Sequence, residues 1–373
     1  MSELTRETMM KIFNLPQDLI EERLSRFPMI SLKRLRSKYK QLKDLVKDPR
    51  FIKKQIAYAR STRQYHVLVV VKFGVYSMCS YINEINLNAA PLFKRGLNLI
   101  DPYLDSEVDL GQAFHCDGIL LCASTKRNMF VVWNMFSGQT RWIKRQDHCR
   151  RDDVCALGYK DKELCRGYKI LRFGDTHHQE SEIYDFTSNS WRKLNAVSPK
   201  GGLQSRGVSL KGDVYWLFKQ TERSMYSLLS FDFSTERLQS LYVPIENKAC
   251  CDDTMALSVV REEHISLLYQ KEATQKMEIW ISSEIETTYV SWNKFLTVDF
   301  RPHPHMFSCH MSFFIDEEKK IAVCCEKDQE NRIFNKVYIV GEDKYKVSRG
   351  FGFIDSRGIY SNPTMFGYVP RLV

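Results

Sequence analysis

Two periodicities divide this chain. From Leu15 to Val46 apolar residues recur at helical spacing, whereas beyond Tyr65 short β-branched and aromatic runs alternate with polar turns. Leu15, Leu19, Ile20, Leu24 and Phe27 form a first stripe, with Pro16 placed as a first-turn proline after Asn14 and Pro28 ending the helix. Leu32, Leu35, Tyr39, Leu42 and Val46 form a second stripe that stops near Asp48-Pro49, and Phe51, Ile52 and Ile56 suit a short third helix. Roughly 40 to 50 residues in two or three helices rarely sustain a core of their own. Their apolar faces are expected to close either on the β region or on another chain.

The β region repeats. Trp133-Asn134-Met135-Phe136-Ser137-Gly138 leads to Trp142 and Ile143, Tyr184-Asp185-Phe186-Thr187-Ser188-Asn189 to Trp191 and Leu194, and Phe231-Asp232-Phe233-Ser234-Thr235 to Leu238 and Leu241. Ile279-Trp280-Ile281 and Val337-Tyr338-Ile339 are weaker copies, so the units start 51, 47, 48 and 58 residues apart. A period of about 50 residues, built as strand, polar turn and strand, matches a propeller blade better than a pair of packed sheets or an irregular barrel. The fold class expected is mainly β, with a short α-helical N-terminal segment followed by a β-propeller-like domain of about six blades. Within each blade the polar turns should link two outer strands, while Gly207–Trp216 reads as an inner hairpin turning at Lys211-Gly212-Asp213. If Trp133, Tyr184, Phe231 and Trp280 are equivalent, each ring should pack between neighbouring sheets.

Composition refines this picture in two ways. The 373 residues are 43% hydrophobic and 12% aromatic, enough for a sizeable core. The net charge of +10 is unevenly placed: residues 1–60 hold 15 Lys/Arg against 7 Asp/Glu, a net of +8, and the remainder holds 40 against 38. An acidic partner is therefore expected at the helical end. No run reaches the roughly 18 apolar residues of a membrane span, and Glu3, Arg6 and Glu7 leave no secretory leader in the first ten residues. Eleven cysteines without CxxC spacing, including adjacent pairs Cys250-Cys251 and Cys324-Cys325, read as reduced thiols. An intracellular location, nuclear or cytoplasmic, is the expectation.

The helical segment resembles an F-box over about residues 12–56. The residues that carry the likeness are Leu15-Pro16-Gln17-Asp18-Leu19-Ile20-Glu21-Glu22, Leu24-Ser25-Arg26, Pro28, Ser31-Leu32-Lys33-Arg34-Leu35-Arg36, Lys40 and Lys47-Asp48-Pro49-Arg50-Phe51. The resemblance implies an F-box over residues 10–60 that docks on a Skp-type adaptor, an acidic protein, and through it on a cullin. It implies adaptor contacts by Leu15, Pro16, Leu19, Ile20, Leu24, Pro28, Leu32 and Leu35. Three positions depart from the family: Arg23 replaces an aliphatic residue, and Tyr39 and Leu42 replace a usual Cys and Trp. These departures keep open an interaction scaffold whose degenerate F-box no longer binds the adaptor.

Residues 65–373 resemble the F-box-associated interaction domain of plant F-box proteins. The likeness rests on Phe114-His115-Cys116-Asp117-Gly118-Ile119-Leu120-Leu121-Cys122, on Trp133-Asn134, and on Ile183-Tyr184-Asp185-Phe186 with Ser190-Trp191-Arg192. It continues through Gly207–Gly212 with Tyr215-Trp216, Ser230-Phe231-Asp232-Phe233, Glu278-Ile279-Trp280, Val290-Ser291-Trp292 and the closing Gly367–Val373. What it implies is a substrate-recognition subunit of an SCF-type ubiquitin ligase, not itself an enzyme, with a target protein on the β domain and no cofactor.

Other motifs carry less. Arg349-Gly350-Phe351-Gly352-Phe353-Ile354 imitates an RNA-binding strand, but only 12 residues separate it from Val337-Tyr338-Ile339, too few for the helix and strand between such motifs. His303-Pro304-His305 with Cys309-His310 has ligand-type residues without a zinc spacing. Gly350 and Gly352 lack a third glycine, and no nucleophile elbow or phosphate loop occurs. No catalytic set, metal site, nucleic-acid partner or membrane contact is expected.

Overall fold

The computed structural model describes residues 6–27, 66–71, 74–77, 94–101, 106–108, 110–124, 128–135, 137–146, 153–160, 167–173, 181–194, 201–221, 225–245, 252–286, 288–301, 305–328, 334–342, 344–352 and 362–368, with 32, 38–45, 48, 50–51, 54 and 57–58. Helices come first, three of them with bounds among the described residues: α1 (Arg6–Phe13), α2 (Gln17–Ser25) and α3 (Lys40–Leu45); Leu32 and residues 50–51, 54 and 57–58 are helical as well. Pro16 is the N-cap residue of α2, with extended ψ, one position earlier than its sequence placement. The second stripe is not one continuous helix, since Lys38 turns and Tyr39 is non-helical just before α3. Helix α1 was hidden in sequence because its face is only Met9, Ile12 and Phe13.

Six four-stranded antiparallel sheets follow, one of them carrying a fifth short strand. Blade 1 contains β1 (His66–Val71), β2 (Gly74–Ser77) and β3 (Lys94–Leu97), and a two-stranded ribbon of β4 (Ile100–Asp101) and β5 (Ser106–Glu107) comes next in the chain. Blade 2 is β6 (Leu110–Cys116), β7 (Ile119–Ser124), β8 (Met129–Asn134) and β9 (Thr140–Lys144). Blade 3 is β10 (Val154–Lys160), β11 (Gly167–Phe173), β12 (Ser181–Asp185) and β13 (Ser190–Leu194). In blade 4, β14 (Gly201–Leu203) and β15 (Val208–Leu210) share one edge of β16 (Asp213–Gln220), followed by β17 (Tyr226–Asp232) and β18 (Arg237–Leu241). Blade 5 is β19 (Thr254–Val260), β20 (His264–Lys271), β21 (Lys276–Ile285) and β22 (Val290–Asp299). Blade 6 is β23 (Ser312–Asp316), β24 (Ile321–Lys327), β25 (Phe334–Gly341) and β26 (Lys344–Gly352). The chain then returns: β27 (Thr364–Tyr368) pairs with β1, Leu68 opposite Phe366, and supplies the inner strand of blade 1. The ring is closed by its two ends.

Each blade presents apolar residues on both faces at period two. On β1, Val67, Val69 and Val71 pack with Val323, Cys325 and Ile339 of blade 6, while Leu68 and Val70 face the cluster holding Leu120 and Trp133 of blade 2. On β16, Val214 and Trp216 join the blade 2–4 cluster, and Tyr215 and Leu217 join that of blades 4 and 5. Strands buried on both faces read as continuous apolar runs, which is why His66–Val71 is HVLVVV. The adjacent cysteines Cys324 and Cys325 are buried thiols on opposite faces of β24, a placement set by the pleat rather than by cross-linking.

The repeat seen in sequence is the third strand of each blade. Trp133 lies on β8, Tyr184 on β12, Phe231 on β17, Trp280 on β21 and Tyr338 on β25. Trp133, Tyr184, Phe231 and Tyr338 are buried. Trp280 departs from the expectation. The indole is half-buried against the cluster of blades 4 and 5, with the Lys294 ammonium 4.6 Å from its centroid, beside a bulge at Phe295 of β22, while Ile279 on the opposite face of β21 is buried in the cluster of blades 5 and 6.

Tight turns close the inner hairpins. Asp117-Gly118 and Lys211-Gly212 both have positive φ at two successive positions (53° and 80°, 53° and 93°), the conformation of two-residue hairpin loops. A Cβ on Gly158 of β10 would meet the Gly212 carbonyl oxygen at 2.4 Å and the Phe233 ring at 2.2 Å, so only glycine lets blades 3 and 4 approach there. The imitation RNA-binding segment is absorbed into blade 6, where Val337–Ile339 and Lys346–Ser348 are paired neighbours. Among the described residues, no helix is long and apolar enough to cross a membrane.

Candidate partner-binding sites

Two places merit a partner: the helical end and the central channel. At the helical end, Leu24, Leu32, Leu42, Leu45 and Phe51 are buried, with Met9 and Ile12, in a cluster continuous with Leu68, Val75, Leu99 and Trp133 of blades 1 and 2. The helices therefore bury one face within this chain, against each other and the propeller. Phe13 and Tyr39 close that core with ring centroids 5.4 Å apart.

This burial divides the eight residues expected at an adaptor. Leu24, on α2, and Leu32, beyond it, are wholly inaccessible within the internal cluster. Pro16 and Leu19 are exposed, Leu19 to 46%, and Leu15 is half-buried, so these three form the outward apolar strip, whereas Ile20 packs half-buried against the internal cluster. Pro28 and Leu35 lie outside the described residues. Met10, 57% exposed on α1, adds an outward apolar residue that sequence reasoning missed. Its signal was its place beside buried Met9 on an amphipathic turn.

The departures from the F-box pattern also resolve by position. Arg23 is exposed, so its charge remains in water and incurs no burial cost. Leu42 is fully buried and Tyr39 half-buried, so both substitutions act on the internal core. Electrostatically, Glu7, Glu22 and Glu21 pair with Lys11, Arg26 and Lys54 at 2.7, 2.6 and 3.4 Å. Arg23, Lys38, Lys40, Lys43 and Arg50 are exposed without an ion pair among the described residues. The helical end thus offers exposed cations as well as exposed apolar residues.

The second place is the channel along the propeller axis. It encloses about 1180 Å³ and is lined by residues of the inner strands of all six blades. Its lining carboxylates, Asp117, Glu262 and Glu263, belong to hairpin turns at one end. The other end is built from the starts of the inner strands, where Arg206 donates from Nη1 to the Pro363 carbonyl at 2.8 Å and to the Thr364 hydroxyl. Burial lowers the Arg206 guanidinium to about 10, still charged at neutral pH. Burial first, and the Arg206 charge second, hold the nearby His310 below the ordinary imidazole range, which favours its neutral form.

The His305 and Cys309-His310 group does not assemble a metal site. His305 Nε2 lies 3.0 Å from the buried Glu326, its ring stacks on Tyr338 at 4.5 Å, and His310 faces the channel. His303 and Pro304 lie outside the described residues. Among the described residues no group of three or more His, Cys, Asp or Glu side chains is placed to hold a metal.

A family model described as the F-box associated beta propeller domain matches residues 66–373. The chain belongs to the F-box-associated β-propeller family. Relatives extend the likeness over the helices. An Arabidopsis thaliana protein named as an F-box protein is 50% identical over 421 aligned positions that cover all of both chains. A second of the same description is 41% identical over 96% of this chain and 94% of its own, and one named as an F-box/kelch-repeat protein is 38% identical over 96% and 97%.

Proposed function

We propose that this protein is the substrate-recognition subunit of an SCF-type ubiquitin ligase. Residues 10–60 act as the F-box, and Leu15, Pro16 and Leu19, with Pro28 and Leu35, contact a Skp-type adaptor and through it a cullin. The propeller holds the target. The observation that carries this reading is the outward apolar strip, with exposed cations, unpaired among the described residues, on the same helical segment, on helices whose other face is already closed. Relatives named as F-box proteins over the same full length support it.

In such an assembly the protein does no bond chemistry. Its contribution is effective concentration: a target lysine held near a charged conjugating enzyme reacts as if the encounter were intramolecular. Rigid packing of the helices on blades 1 and 2 serves that role, because a fixed angle between adaptor and propeller fixes the target's position. Affinity purification of the tagged protein from plant cells tests the reading. Adaptor and cullin are expected among the co-purifying proteins, alongside targets. A purification that yields propeller-bound proteins but neither adaptor nor cullin would favour the scaffold with a degenerate F-box.

A further inference from the structure

Blade 4 has a broken inner strand. Its inner position is shared by β14 and β15, and the gap at residues 204–207 is held by Gln204 N–H to Leu217 O at 2.7 Å and Leu217 N–H to Ser205 Oγ at 3.0 Å. Gly207 makes the break possible, since a Cβ there would lie 2.4 Å from Trp216 Nε1. An interruption of this kind re-aims a side chain. Here the side chain is Arg206, which leaves blade 4 and reaches Pro363 and Thr364 of blade 1, directly across a six-bladed ring. Its guanidinium therefore crosses the axis of the channel.

The hydrogen bonding of that guanidinium is incomplete. Both of its partners are neutral oxygens and both are met by Nη1. The Pro363 carbonyl is also shared with the Ser312 hydroxyl at 3.1 Å. The Nε–Nη2 edge, the fork that accepts a carboxylate side-on, has no hydrogen bond among the described residues. No described carboxylate pairs with Arg206, and those lining the cavity lie at the opposite end. A charged fork held in a confined site of reduced dielectric strengthens any anion it meets.

We infer that Arg206 is the anchor for a carboxylate on an acidic peptide segment that enters the channel from the end where the inner strands begin. This rests on the reading of the propeller as the target-holding part. One guanidinium beside a neutral His310 supplies a single positive charge, which suits a carboxylate better than a phosphate dianion. The cavity of about 1180 Å³ exceeds the space one small acid fills, and inner strands with an unpaired edge offer backbone groups to an extended chain.

The test pans a displayed random-peptide library against the intact chain and against R206Q and R206K, with melting curves recorded for all three. Peptides captured by the parent are expected to share an Asp, a Glu or a terminal carboxylate at one position. Synthetic versions should bind both variants at least about tenfold more weakly, R206K included, because lysine keeps the charge and loses the fork. Changing the peptide acid to its amide should weaken binding to the parent and add nothing to R206Q. Capture without a shared acid, no capture, or equal affinity for parent and R206Q would overturn the anchor. A lowered melting temperature with unchanged affinity would make Arg206 a brace only. Glutarate serves as the small-acid probe, and binding as tight as that of the selected peptides would overturn the peptide assignment in favour of a free organic acid. The two readings fail separately: loss of acid preference leaves adaptor co-purification untouched, and loss of adaptor leaves the peptide result standing.

Discussion

At the scale of single residues, burial decides which repeat positions carry stability. Phe231 is wholly buried, and its ring meets Phe233 edge-on at a centroid distance of 4.9 Å in the cluster shared by blades 2, 3 and 4. Removing it leaves a cavity between sheets that cannot collapse, so Phe231→Ala is expected to cost about 3–5 kcal/mol. Trp280 is half-buried with one face toward Lys294, so Trp280→Ala should cost about 1–2 kcal/mol. Urea denaturation of the two variants checks the order. A larger loss at Trp280 would contradict its half-buried placement. The sequence showed both as aromatic anchors of one repeat, because spacing gives a residue's place on its strand but not how far the neighbouring blade covers it.

Among elements, the N-terminal helices present two unlike faces, one closed on the chain's own core and one outward. Their spacing showed an amphipathic character but not what each face meets. Leu15 and Leu24 belong to one stripe in sequence, yet Leu24 closes the internal core while Leu15 stays at the surface. That split depends on contacts with Leu68, Val75 and Leu99, all distant in sequence, and no local pattern encodes them. The charge was legible, and it carries a prediction. If Arg23, Lys40 and Lys43 steer an acidic adaptor, reversing them to Glu should slow association by roughly tenfold at low salt with little change in dissociation. Stopped-flow mixing at several salt concentrations reads this. Association that ignores salt would show that these cations are a solvated face.

For the whole molecule, closure makes six marginal sheets one cooperative unit. A four-stranded blade buries its faces only against its neighbours, and blade 1 lacks an inner strand until β27 returns to β1. The period of about 50 residues made the blades legible, and Gly367 and its neighbours were legible as the family's terminal segment. The pairing of Leu68 with Phe366 was not, since a ladder between residues so far apart leaves no local mark. Deleting residues 364–373 should therefore lower the melting temperature of all blades together and give a single shifted or lost transition in calorimetry. Two transitions, one of them unchanged, would show that the blades melt independently and that closure does not couple them.

The central claim is that the outward strip on α2 docks this protein to a Skp-type adaptor while the propeller stands apart from that contact. The direct measurement is a binding titration of purified adaptor against the parent and against a Leu15→Ala/Pro16→Ala double variant, with thermal melting of both. Pro16 is exposed and Leu15 only half-buried, so the variant should melt within a few degrees of the parent. Its adaptor affinity should fall by about 30-fold or more, since truncation of central apolar contacts removes about 2–4 kcal/mol. Equal affinity for the two proteins, or no binding by the parent, would contradict the account.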